Sequence, residues 1–419
     1  MKKNFEIEII IMIIFSFILM SYSIFFALTN TIEYDEAYSY LYYSNTIHGF
    51  TSQSLANNHP LNSLLIYFSS YFFPYSEFMI RLPNLIFLIL YLLFAIKISC
   101  NTKIKLVTFG LLILYWYLIP YYFAQARGYG IASSLVLISL YYLLNKPSTD
   151  KNILISITLL LIGSYAFLGL IPLIISAIIY YFVFEISRPI IFVKKRIVAI
   201  ASIFCVFVYL VSMLISVSEE GKPLYGSYNS SFLSSTIGFY TSSFFDGNYK
   251  FGSVATNMKD ISSTFGYSEI SLFTCLIFFI FFVSTMLFNK KKNKVKVSLI
   301  TLFCFTILYF SSLIMNKPFI TGRSLLPFYP LIALSTVEII EASLKCIKSL
   351  ETKTKFKRIL ILIFFVALTF NYFNKIEVSL YDLSFKTKNK KIIEILEGKP
   401  NPRQLFYQKK ESFVKKKID

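Results

Sequence analysis

Apolar residues fall in long blocks along this chain, and short polar stretches separate them. The blocks run approximately 9–29, 61–73, 79–99, 106–122, 129–144, 153–168, 170–187, 197–216, 271–288, 298–315, 324–343 and 359–373. Most have the length that spans, or nearly spans, a hydrocarbon core of about 30 Å. A helix that is apolar all round belongs in a membrane or a deep core. The pattern therefore predicts an all-α polytopic membrane protein. The first block lacks the short apolar core and small-residue cleavage site of a signal peptide, so it reads as an uncleaved first helix.

Charge settles how these blocks are threaded. Basic clusters lie at Lys2/Lys3, Lys103/Lys105, Lys146/Lys151, Arg188 with Lys194/Lys195/Arg196, NKKKNKVK at 289–296, and 345–358. Lys and Arg retain loops on the cytoplasmic side. If all twelve blocks crossed, Lys2/Lys3 would fall on the side opposite all the other basic clusters. The block 61-LNSLLIYFSSYFF-73 is short and follows a proline, so it is the one read as lying at the interface. That leaves eleven spans with the N-terminus inside. Residues 1–373 form the membrane domain, with outer loops 30–78 and 217–270, and 374–419 form a short basic tail.

Composition agrees and removes one alternative. Of the 419 residues 56% are hydrophobic and 15% charged, against about 25% charged in a typical soluble protein; the mean hydropathy is +0.64. The formal net charge of +19 follows from inside loops and implies no nucleic-acid partner. The five cysteines sit in or beside apolar blocks without metal-ligand spacing and read as buried thiols. No metal site or nucleotide fingerprint is present in the pattern, and no cofactor is expected.

The threading gathers the unusual polar residues on the outer face. The first loop, 31-TIEYDEAYSYLYYSNTIHGF-50, carries Asp35 and Glu36. Acids there can cap a helix, or act as a general base where partial dehydration lifts a carboxylate pKa. His59 in 59-HPLN-62 can be a plain turn residue, or can bond a phosphate or a sugar hydroxyl. Arg81 in 81-RLPN-84, Arg127 in 124-AQARGYG-130 and Arg323 in 321-TGRSLLPFYP-330 stand where positive charge is scarce. Each can be an interface anchor, or part of a guanidinium clamp on phosphate.

In their order and shared face these motifs resemble the GT-C membrane glycosyltransferases, nearest the protein-mannosyltransferase and lipid A aminoarabinose-transferase group. The resemblance covers residues 1 to about 345. It implies a GT-C-like bundle of about eleven spans whose first outer loop carries juxtamembrane helices. It also implies transfer of a hexose or pentose from a polyprenyl-phosphate donor to a glycan, lipid or protein acceptor. The reaction would occur at the extracytoplasmic face of the cell (inner) membrane. Asp35 maps onto the catalytic acid, with Glu36 beside it, and His59, Arg81, Arg127, Tyr129 and Arg323 are the expected substrate ligands. The single proline of His59-Pro60-Leu61 departs from the family's K/H-P-P-L, and the tail is shorter than the family's common C-terminal domain. An O-antigen or capsule polymerase would share the long outer loop and outward arginines. A non-enzymatic flippase of lipid-linked sugars would show two similar halves, and no internal repeat is visible.

Overall fold

A computed structural model describes residues 2–30, 36, 39–40, 44, 59–72, 76–113, 121–144, 149–185, 196–219, 226–227, 296–314, 319–320, 322–346 and 359. Asp35, the block 271–288, nearly all of the block 359–373 and the tail 374–419 lie outside them. The described residues form ten α-helices. These are α1 (Lys2–Thr29), α2 (Pro60–Phe72), α3 (Glu77–Cys100), α4 (Lys105–Ile113), α5 (Gly128–Leu144), α6 (Asp150–Ala166), α7 (Ile171–Tyr180), α8 (Ile197–Glu219), α9 (Lys296–Ile314) and α10 (Tyr329–Cys346). A short 3₁₀ turn, Leu168–Leu170, precedes α7, and a longer one, Gly322–Phe328, precedes α10. Among the described residues strand is limited to one antiparallel bridge between Gly226–Ser227 and Phe319–Ile320.

Three helical stretches are long and apolar enough to cross a membrane: Ile7–Thr29, Glu77–Cys100 and Ser324–Leu344. Shorter apolar helices occupy Gly128–Leu144, Leu168–Phe184, Ile197–Ser212 and Lys296–Ser311. Where each helix sits follows from which residues it hides. α5 is buried along nearly its whole length, and it packs on α3, α6 and the Gly322–Phe328 turn as the central rod. α1 instead turns Ile10, Ile14, Phe17, Ile18 and Phe25 outward, a surface suited to acyl chains rather than water. Cys304 is buried, but Cys205 faces outward on α8, against the expectation that all the thiols are buried.

Small hydroxyls bring the helices close and stay satisfied there. Ser139 and Ser156 pair across α5 and α6 at 2.7 Å, and Ser134 donates to the Phe87 carbonyl of α3 at 2.8 Å. In hydrocarbon such side chains must find a partner, and their small size lets the backbones approach. Helix starts are capped as the sequence allows. Ser76 and Thr149 are extended N-caps whose hydroxyls accept from Met79 and Asn152, with Glu77 and Asp150 in the favourable first turn.

α2, read from the sequence as the block lying at the interface, is one of the shorter helices. Its thirteen residues reach only about 20 Å. Asn84, in the second turn of α3, donates to Asn62, in the first turn of α2, at 2.9 Å. That bond holds the first turn of α2 against the second turn of α3.

Candidate active site

One end of the bundle collects segments that are far apart in sequence, and α5 begins at its centre. The stretch 124-AQARGYG-130 enters α5 through a tight turn in which the Arg127 amide donates to the Gln125 carbonyl at 2.9 Å. Two glycines make this approach possible. A Cβ on Gly128 would stand 2.1 Å from the Ala166 carbonyl and 2.9 Å from the His59 Cβ, and one on Gly130 would stand 2.9 Å from the Phe123 ring. A side chain at 128 would push α5 away from both α2 and the end of α6.

His59 stands just before α2 and is fixed by that neighbour. α6 stops at Ala166 because Phe167 turns extended and returns its amide to Gly163, which leaves the Ala166 carbonyl available. His59 Nδ1 lies 2.7 Å from it. A carbonyl only accepts, so Nδ1 carries the proton in this bond. The imidazole also meets the Tyr129 ring edge-on at 5.0 Å. Tyr129 packs in turn on Tyr122 and Phe167, and its hydroxyl has no partner among the described residues. The Arg127 guanidinium lies over the Tyr129 ring at 5.5 Å, within cation–π range. His59, Arg127 and Tyr129 are all buried.

Glu36 and Arg81 meet in the same region as a buried ion pair, 0% and 1% exposed. Arg81 Nε and Nη2 donate to Glu36 Oε1 and Oε2 at 2.9 and 2.7 Å, the bidentate fork that suits guanidinium to carboxylate. Arg81 Nη1 donates to the Ala27 and Asn30 carbonyls at the end of α1. Glu36 Oε1 accepts the Ala126 amide at 2.6 Å, so the first-loop acid is bonded to the residue next to Arg127. Arg81, expected as a phosphate ligand, is thus committed to protein acceptors, and Glu36, expected beside the catalytic acid, is committed to protein donors. Tyr40 of the same loop packs against Ile66, Ile80 and Ala126, and partial burial raises its hydroxyl pKa above the ordinary 10.0.

Arg323 belongs to the Gly322–Phe328 turn, which packs against α5 and the Leu168–Leu170 turn. Its side chain lies outside the described residues, as does Asp35. The structure therefore brings Glu36, His59, Arg81, Arg127, Tyr129 and the backbone around Arg323 to one end of the bundle. Two members of the region carried no assignment from sequence. Asn62 Nδ2 donates to the Ala126 carbonyl at 2.9 Å and links onward to Asn84. The signal was present: 59-HPLN-62 and 81-RLPN-84 each end in an asparagine. Among the described residues no cluster of His, Cys, Asp or Glu has the makings of a metal site.

No protein-family model matches the chain, and neither a curated protein nor a solved structure is detectably similar to it.

Proposed function

We propose that this protein is a membrane glycosyltransferase of the GT-C type, moving a hexose or pentose from a polyprenyl-phosphate donor to a cell-surface acceptor. The observation that carries this reading is the meeting of the first-loop acid segment with the Arg127 turn. Glu36 bonds the Ala126 amide at 2.6 Å, while His59 and Tyr129 close the same region. In the proposed reaction the Asp35 carboxylate takes the proton of an acceptor hydroxyl. The acceptor oxygen then bonds the anomeric carbon as the carbon–oxygen bond to phosphate breaks, and that electron pair leaves on the lipid phosphate. Direct displacement inverts the anomeric centre. Arg127 and Arg323 offset the growing phosphate charge. His59 and Tyr129 line the sugar, and Glu36 and Arg81 brace the loop. The eleven-span threading, with this end of the bundle extracytoplasmic in the cell membrane, belongs to the same proposal.

The test is a radiolabelled polyprenyl-phosphate-sugar assay in membranes, wild type against Asp35→Asn. A general base contributes about 10²–10⁴-fold, so turnover should fall by that factor while donor binding persists. Near-normal turnover returns Asp35 to the role of a helix cap. Impermeant thiol labelling tests the threading: cysteines introduced at 45 and 240 should react from outside, and one at 101 should not.

A further inference from the structure

The Glu36–Arg81 pair makes more contacts than a salt bridge needs, and their directions say what it does. Among the described residues Arg81 donates to Glu36 through two N–H groups and to the carbonyls of Ala27 and Asn30 through two more. Glu36 then reaches past Arg81 to the Ala126 amide. Through two side chains the end of α1, the first outer loop, the start of α3 and the turn before α5 are held at fixed separation. Burying two charges costs about as much as their attraction returns, and apolar replacements often stabilise. Such a pair is better explained by the geometry it enforces than by the stability it adds. The chain positions joined are telling. Glu36 is next in sequence to Asp35, and Ala126 precedes Arg127, so the pair joins the first loop directly to the Arg127 turn.

We infer that Glu36 and Arg81 are positioning residues, a clamp that sets the distance between the first loop at Glu36 and the Arg127 turn and neither binds substrate nor takes its proton. The kinetic part of this inference rests on the glycosyl-transfer reading; the mechanical part does not. A guanidinium fork fixes direction as well as charge, whereas a lysine ammonium is a point charge on a flexible stem. Arg81→Lys therefore keeps the charge balance and removes only the geometry.

The experiment is Arg81→Lys in the full-length protein in nanodiscs, with Glu36→Gln as the second variant should the first fold poorly. Hydrogen–deuterium exchange is measured first, without substrate. Peptides covering 124–128 should exchange about tenfold faster through local opening, while those covering 100–105 and 296–300 stay unchanged. Transfer from a radiolabelled polyprenyl-phosphate-sugar is measured next. Misplacement on the ångström scale costs about 10²-fold, so kcat should fall by up to that factor with donor KM retained. Unchanged exchange at 124–128 overturns the clamp. Faster exchange with undiminished kcat overturns the positioning role and leaves a plain brace. A raised donor KM with kcat intact overturns it too, and returns Arg81 to the substrate. If the wild type transfers no sugar, the glycosyl-transfer reading fails by itself, and the exchange result alone judges the clamp.

Discussion

Each end of this bundle is held by a carboxylate that accepts from the approach to a helix, and the two differ in what else they touch. At the candidate site Glu36 receives the Ala126 amide just ahead of α5 and is also gripped by the Arg81 fork. At the opposite end Glu338 of α10 accepts the Val297 and Ser298 amides and the Ser298 hydroxyl, at 3.0, 2.9 and 2.8 Å. One turn on, Glu341 accepts the Lys103 amide at 2.6 Å, just before α4. A helix N-terminus carries partial positive charge and unsatisfied N–H groups, so one carboxylate completes it without a cation. That is enough to dock α9 and α4 on α10. With Arg81, Glu36 joins four segments, and it requires a full counter-charge because it is more deeply buried. The opposite end needs docking between neighbours in contact; the site end needs several distant segments in register.

Breaking the comparison at its strongest point is the first test. Arg81→Ala leaves the Glu36 carboxylate buried without its guanidinium, and removing one partner of a buried pair costs about 3–5 kcal/mol. We expect a large fall in the detergent unfolding midpoint, or no folded protein. Glu36→Ala with Arg81→Leu should recover part of that loss. Gly128→Ala comes next. The new Cβ would meet backbone at 2.1 Å, and overpacking of this kind costs about 1–3 kcal/mol; the same melt should show it, together with lost His59 packing. At the other end, Glu338→Gln keeps an acceptor oxygen but loses its charge. It should cost about 1 kcal/mol, and the sugar transfer proposed for this protein should be unchanged per folded molecule. The smallest effect belongs to Lys105–Glu8, 3.7 Å apart and partly exposed. Lys105→Gln should shift the melt by less than about 0.5 kcal/mol. A Glu338 effect as large as that of Arg81 would erase the distinction between the ends.

Much of the helical layout was legible in the pattern. The blocks 79–99, 298–315 and 324–343 correspond to Glu77–Cys100, Lys296–Ile314 and Ser324–Leu344, because continuous apolar runs leave the backbone no partner in lipid but its own helix. The short, proline-led α2 was visible as the odd block for the same reason of length. Block 170–187 was read too simply. After a 3₁₀ turn α7 gives way to a π-helical turn over Tyr181–Glu185, and the middle of block 106–122 lies outside the described residues. Hydropathy carries no mark of such local changes in winding.

By itself the sequence determined an apolar helical protein, where its helices start, and that acids, a histidine and arginines stand at helix ends. Those properties depend on local composition, capping and the solvent a segment can tolerate, and local composition is what a linear pattern records. Only the tertiary structure decided which of those charges are spent on one another. Arg81 and Arg127 look alike in the chain, each at the end of an apolar helix. Arg81 closes on Glu36, 45 residues away, whereas Arg127 lies over the Tyr129 ring. The physical reason is that a guanidinium's role is set by which acceptors lie within about 3 Å of it. Those acceptors, at Ala27, Asn30 and Glu36, are brought there by the packing of α1 on α3.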